Sequence, residues 1–353
     1  MNAIATPPST PATLPAINRA TLPIDATRQT LRELGDTVRA VRSQLSPRII
    51  GLTDEITLVL AATFIGGHIS LEGRPGTGKT MLARGVAECL GLDFKRIQFT
   101  PDLVPSDITG SNVLDRQTGQ FAFRAGPIFA SIVLADEINR SGPKTQSALL
   151  EAMAERQVSY DGQTYKLPSP HLVIATQNPM ESQGTYPLPD AQLDRFLIKL
   201  KFRSPNMEEM KQILQVKGSE NGAIAPLFTP DEARRKILEY RALIRQVEVS
   251  PERYDDMVQL LAALSPESTE RTKFREVEKY VESGPSPRGA EALQALARTY
   301  AALDGRMLVQ REDIIAAAIP TLAHRIALKP TAVGTESSAE GIIKAVMTHL
   351  FRS

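Results

Sequence analysis

The sequence predicts an α/β protein built on a mostly parallel sheet and followed by an all-α domain. Three observations carry that expectation. Short β-rich runs alternate with helical segments through the first two thirds of the chain. A glycine-rich segment, Gly73 to Thr80, sits between an apolar strand and a run of helical spacing. Past about residue 250 only helical periods and alanine-rich stretches such as Ala290 to Ala302 remain.

The elements follow in order. Residues 1–26 are rich in Pro, Thr and Ala without an apolar period, and we read them as a disordered tail. Leu31, Leu34, Val38, Val41 and Leu45 then keep a helical period that Pro47 ends. Ile49-Ile50-Gly51 and a second apolar helix precede the glycine-rich segment. His68 to Leu71, Phe94 to Phe99, Ile132 to Ala135, Leu172 to Thr176 and Leu197 to Phe202 are the five expected strands, which a parallel sheet would bury on both faces. Gly218 to Leu227 reads as a connection. Thr229-Pro230-Asp231-Glu232 opens a helix with an N-cap, a proline at the first position and a glutamate three residues on. The resulting division is a tail over 1–26, an α/β nucleotide-binding core over 27–228, a linker helix over 229–249 and a helical domain over 250–353.

Composition favours no nucleic-acid or membrane function, though it excludes neither. Lys+Arg 41 against Asp+Glu 40 leaves a formal net charge of +1, with no general pull toward nucleic acid or an acidic membrane surface. No run approaches the ~18 apolar residues that span a bilayer, and no signal peptide is evident, so a cytoplasmic protein without membrane insertion is expected. Cys89 is the single cysteine, which rules out an intrachain disulfide. His68, His171, His324 and His349 lack metal-ligand spacing and read as structural.

Gly73-Arg74-Pro75-Gly76-Thr77-Gly78-Lys79-Thr80 is a complete phosphate-binding loop. Its glycines let the backbone curl and aim N–H groups at phosphates, and the N-terminus of the next helix, beginning around Met81, adds its positive end. Lys79 is expected to reach the β- and γ-phosphates, and Thr80 to offer a hydroxyl to Mg²⁺. Ile132 to Ala135 delivers Asp136 and Glu137 to the carboxyl edge of the sheet, a Walker B arrangement in which Asp136 holds Mg²⁺ through water and Glu137 activates the attacking water. ATP and Mg²⁺ are therefore the expected cofactors. Asn178, after the Leu172 strand, reads either as a γ-phosphate sensor or as a turn before Pro179. Arg195 reads either as an arginine finger or as a salt-bridge partner of Asp194, and Arg288, opening a helix after Ser286-Pro287, as a phosphate ligand or a solvated charge.

These motifs in this order resemble the AAA+ ATPases: a P-loop core with a parallel five-stranded sheet, followed by an all-α lid. Pro101 to Gly110, Asp136 to Arg140, Gln146 to Met153 and Ala175 to Pro179, with Leu193 to Phe196 and Ser286 to Arg288, resemble the MoxR family of the helix-2-insert branch over about residues 30–350. The resemblance implies an oligomeric ring, a hexamer, that remodels, matures or activates a protein partner carrying a von Willebrand factor A domain. It implies adenine contacts at Ile50 and Gly51, sensor 1 at Asn178, a finger in trans at Arg195 and sensor 2 at Arg288. It also implies that Asn112 to Phe123 and Gln157 to Leu167, the latter with an Asp161-Gly162 turn signal, are β-hairpins facing the pore or bracing the subunit interface. The Pro-rich tail, the charged segment from Ser265 to Val281 and Leu52-Thr53-Asp54 depart from the family pattern. Alternatives to a chaperone-like motor are a nucleotide-gated assembly switch with slow turnover, a DNA translocase, which the absence of a basic run in either hairpin disfavours, and a chelatase-like motor subunit.

Overall fold

A computed structural model describes residues 24–74, 76–114, 119–178, 184–216, 223–268, 274–332 and 338–351. Pro75, Asp115 to Thr118, Pro179 and Glu270 to Lys273, like the first twenty-three residues of the expected tail, lie outside the described residues. The last three residues assigned to the tail are helical, because α1 (Ile24–Leu45) begins at Ile24. Its Leu31, Leu34, Val38, Val41 and Leu45 are buried, as their period requires. α2 (Thr53–Ile65) follows, then β1 (Ile69–Glu72), α3 (Lys79–Leu90), β2 (Phe94–Gln98) and α4 (Pro105–Thr109). The hairpin β3 (Gly110–Leu114) and β4 (Phe121–Ala125) leads to β5 (Ile132–Asp136) and α5 (Pro143–Glu155). A second hairpin, β6 (Gln157–Tyr160) and β7 (Gln163–Lys166), precedes β8 (Leu172–Gln177), α6 (Asp190–Leu193), β9 (Ile198–Lys201) and α7 (Met207–Val216). α8 (Pro230–Gln246), α9 (Pro251–Ala263), α10 (Arg275–Tyr280), β10 (Val281–Ser283), α11 (Pro287–Leu303), α12 (Arg311–Leu322), β11 (Ala327–Leu328) and α13 (Ala339–Leu350) complete the chain.

The central sheet has five parallel strands in the order β2-β5-β8-β1-β9. Alternate residues divide between its faces. Ile69, Leu71, Ile132, Leu134, Ile174 and Ile198 pack toward α1, α2, α3 and α8, while Val133, Ala135, Val173 and Phe196 pack toward α5. Register puts Gln98 of β2 beside Asp136 of β5, Ala135 beside Ala175 of β8, and Gln177 of β8 beside Glu72 of β1. The carboxyl ends of four strands thus form one edge, where an open α/β sheet presents its ligand crevice.

The expected linker helix is α8, and it is closely packed rather than strung between domains. Ala233, Ile237, Tyr240, Leu243 and Ile244 belong to the same apolar cluster as α1, the sheet and the lid helices α11 and α12. Its Thr229 and Glu232 form the expected reciprocal cap. The all-α expectation for the C-terminal part needs one amendment, the two-stranded antiparallel pair β10–β11. Two and three residues are too few for a period to register in sequence.

Candidate functional site

The phosphate loop joins β1 to α3 at the carboxyl edge of the sheet. Gly76 and Gly78 have φ of 79° and 89°, the left-handed region where glycine is strain-free. Gly73 is constrained differently: a Cβ there would lie 2.7 Å from Cβ of Phe202. Thr77 Oγ1 donates to the carbonyl of Arg74 at 2.9 Å, closing the turn. Lys79 is buried at the base of α3 and its Nζ donates to the Gly73 carbonyl at 2.5 Å. Burial lowers its pKa, while Asp136 and Glu137 nearby act in the opposite sense. Thr80 is half-buried beside it, and Met81 and Arg74 are exposed. Ile50 and Gly51 lie in the turn after α1, close to this loop: a Cβ on Gly78 would stand 3.6 Å from Leu52. Gly51 itself has φ of 77° and abuts Glu209 of α7, which Arg203 holds at 2.6 Å.

Asp136 ends β5 and Glu137 follows it, as expected, and four residues given no role from sequence hold them. Thr176 Oγ1 on β8 donates to Asp136 Oδ1 at 2.6 Å and accepts from the Glu137 backbone N–H at 2.8 Å. Arg96 on β2 donates from Nε and NH2 to Asp136 Oδ2, at 2.9 and 2.6 Å. Gln98 Nε2, two residues on and hence on the same side of β2, donates to Glu137 Oε2 at 2.9 Å, which also accepts from Arg140 at 3.0 Å. Glu137 has φ of 57°, so the chain turns sharply out of the strand there and aims the carboxylate away from the β5 line. Asn178, at the end of β8, is buried between the Asp136 and phosphate-loop strands.

Arg195 and Arg288 are brought together, but at the other edge of the sheet. Residues 194–197 precede β9, and the Leu197 N–H donates to the carbonyl of His68, which precedes β1. Arg195 is exposed and donates to the Leu150 carbonyl of α5 at 3.0 Å. Asp194, the alternative partner offered for Arg195, is taken instead by Arg325 at 2.8 Å, Ser286 Oγ at 2.8 Å and Arg288 at 3.8 Å. Ser286 caps α11, so Arg288 stands in its first turn with its side chain 60% exposed. Arg325, unmarked in sequence, is buried between lid and core and donates to the carbonyls of Asp194, Phe196 and Leu197 at 3.0, 2.6 and 3.2 Å.

Comparison with known proteins accords with this architecture. Residues 68–198 match the family model described as "ATPase family associated with various cellular activities (AAA)", and residues 274–345 match that of the AAA lid domain. The uncharacterized protein YeaC of Bacillus subtilis is 44% identical over 85% of this chain and 90% of its own length. Chaperone MoxR1 of Mycobacterium tuberculosis is 39% identical over 85% of this chain and 78% of its own. A crystal structure of a candidate ATPase from Cytophaga hutchinsonii superposes with a TM-score of 0.84 at 34% identity, covering 92% of this chain and 97% of that one.

Proposed function

Since this chain belongs to the MoxR family of AAA+ ATPases and is an ATP hydrolase, we propose that it works as a ring, a hexamer, in which each ATP is bound by one subunit and completed by the next. Hydrolysis in that ring remodels or activates a protein partner, one with a von Willebrand factor A domain. The observation that carries the reading is the separation of the arginines from the phosphate loop. Arg195 and Arg288 flank the start of β1, and the loop follows its end, four residues or about 13 Å further along the strand. Such arginines serve a nucleotide only on an adjacent copy, and a head-to-tail contact of that kind closes by rotation.

Within one subunit the loop N–H groups and Lys79 bind the triphosphate, with Ile50 and Gly51 on the adenine side. Thr80 and Asp136 fit Mg²⁺: both offer oxygen, and a site with few protein oxygens suits a cation that keeps waters and takes phosphate oxygens. When bound, Mg²⁺ neutralises charge on the phosphates. Asp136, whose two carboxylate oxygens are oriented by Arg96 and Thr176, would hold it through water. Glu137, oriented by Gln98, Arg140 and Thr176, takes the proton of the attacking water. Asn178 orients that water, and Arg195 and Arg288 of the neighbour stabilise charge on the transferring phosphoryl group.

Steady-state hydrolysis across a range of protein concentration tests the proposal. Specific activity should rise with concentration and be lost in Glu137→Gln and Arg195→Ala. A rate independent of concentration and untouched by Arg195→Ala would sink the ring. Glu137→Gln that still assembles and still supports partner function would replace the motor with a nucleotide-gated switch. Pull-down with the ATP-trapped Glu137→Gln protein then identifies the partner.

A further inference from the structure

A cleft of about 460 Å³ opens between core and lid at the start of β1, and four arginines line it: Arg156, Arg195, Arg288 and Arg325. The acids among its lining residues are Asp194 and Glu291. Asp194 is already engaged by Arg325 and Arg288. Among the described residues, Arg195 and Arg156 each make one hydrogen bond, to a backbone carbonyl, Leu150 for the first and Gly66 at 2.8 Å for the second. A guanidinium carries five N–H donors, so each keeps most of its donors and its whole charge for an anion.

Arg156 lies beside Gly66, before β1, whereas the phosphate loop of its own subunit follows β1. It is exposed at the C-cap of α5 with φ of 54°, a left-handed conformation that glycine would adopt without steric cost. It follows Leu150, the residue whose carbonyl holds Arg195, by six positions on the same helix, a rise of about 9 Å. One rigid element thus sets the spacing of the two arginines.

We propose that Arg156 is a third arginine presented to the triphosphate of the adjacent copy, where it donates a charge-assisted hydrogen bond to a phosphate oxygen. This rests on the intersubunit site proposed for hydrolysis. Arg156→Gly suits the left-handed C-cap while removing the guanidinium. It should fold with a wild-type Tm, bind ATP normally when diluted below assembly, and lose ~10- to 100-fold in kcat when assembled, the size of one such bond. Mixing it with Glu137→Gln should restore activity above both parents, because an Arg156→Gly subunit keeps Glu137 and its neighbour keeps Arg156. Arg195→Ala mixed with Glu137→Gln is the control. Wild-type kcat in Arg156→Gly overturns the proposal. So does a loss that mixing fails to rescue while the control pair recovers, which leaves the ring intact. Failure of both mixtures overturns the ring as well. Should Arg156→Gly melt early, Arg156→Lys, which keeps a cation, decides the matter by its kcat: wild-type or partial activity that exceeds that of Arg156→Gln supports the proposal, and equality of the two overturns it.

Discussion

Thr176 is the residue on which Asp136 and Glu137 converge, since one buried hydroxyl donates to Asp136 and accepts from the Glu137 backbone. Thr176→Val keeps the shape and removes both bonds, leaving a buried N–H and a carboxylate oxygen short of a partner. A loss of about 1–3 kcal/mol is expected by chemical denaturation, with kcat falling while ATP affinity holds. Unchanged turnover would show that Gln98 and Arg140 alone orient Glu137. Arg325 shows how a single residue can join two domains: its side chain is 3% exposed and binds Asp194 together with carbonyls just before β9. Removing one partner of a buried pair typically costs about 3–5 kcal/mol, so Arg325→Met should melt well below the parent in calorimetry, far more than Arg288→Met, whose side chain is mostly exposed. Both residues escape a reading of the sequence for the same reason. Thr176 is one β-branched residue in an apolar strand and Arg325 one cation in a helical region, and only the neighbours that folding supplies distinguish them.

The two hairpins behave as one body in this fold. Phe123 of β4 stacks on Tyr165 of β7 with ring centroids 4.0 Å apart at 16°, and Asn112 of β3 donates to Asp161 at 3.2 Å. A double-mutant cycle on Phe123→Ala and Tyr165→Ala should therefore return a coupling of about 0.5–1.5 kcal/mol in stability; additivity would mean the hairpins move independently. Both hairpins were expected from sequence, the second through Asp161-Gly162, whose φ of 50° and 73° make the tight turn. Their contact was not, because aromatic residues on separate hairpins carry no mutual signal. The inner strands β1, β5 and β8 were legible for a simpler reason: a strand buried on both faces is a continuous apolar run, whereas the edge strands β2 and β9 bury one face and alternate. Arg96 and Gln98 were passed over because they are the polar side of the edge strand β2, and their meaning depends on β2 lying next to β5. The signal available was their spacing of two, which assigns them to one face.

Across the molecule, three buried histidines make stability fall at acid pH. His68, His171 and His324 have pKa values lowered to about 3, 4 and 3, chiefly by burial. Their charged forms are favoured only in the unfolded chain, whose histidines titrate near 6.5. Between those values the unfolded state binds more protons, so stability is full above pH 6.5 and falls as the pH drops below it. At pH 5 each contributes a loss of about 2 kcal/mol. Denaturation midpoints measured from pH 7.5 to 5 should decline, and His171→Gln should flatten the decline; a flat wild-type profile would refute the assignment. No helix among the described residues is long and apolar enough to cross a membrane.

The sequence by itself determined the class of chemistry and the framework that holds it, because those depend on local pattern: glycines and a lysine at fixed offsets, an apolar strand ending in Asp136-Glu137, and alternating periods of two and 3.6. The tertiary structure alone decided which edge of the sheet each charged residue occupies. Arg195 and Arg288 look like further site residues in one dimension; in three they stand at the opposite end of β1 from the phosphate loop, beside Arg156 and Arg325. Strand order and the docking of the lid create that separation through contacts between residues more than a hundred positions apart, as in the bond from Arg325 to Asp194, and no local period encodes them.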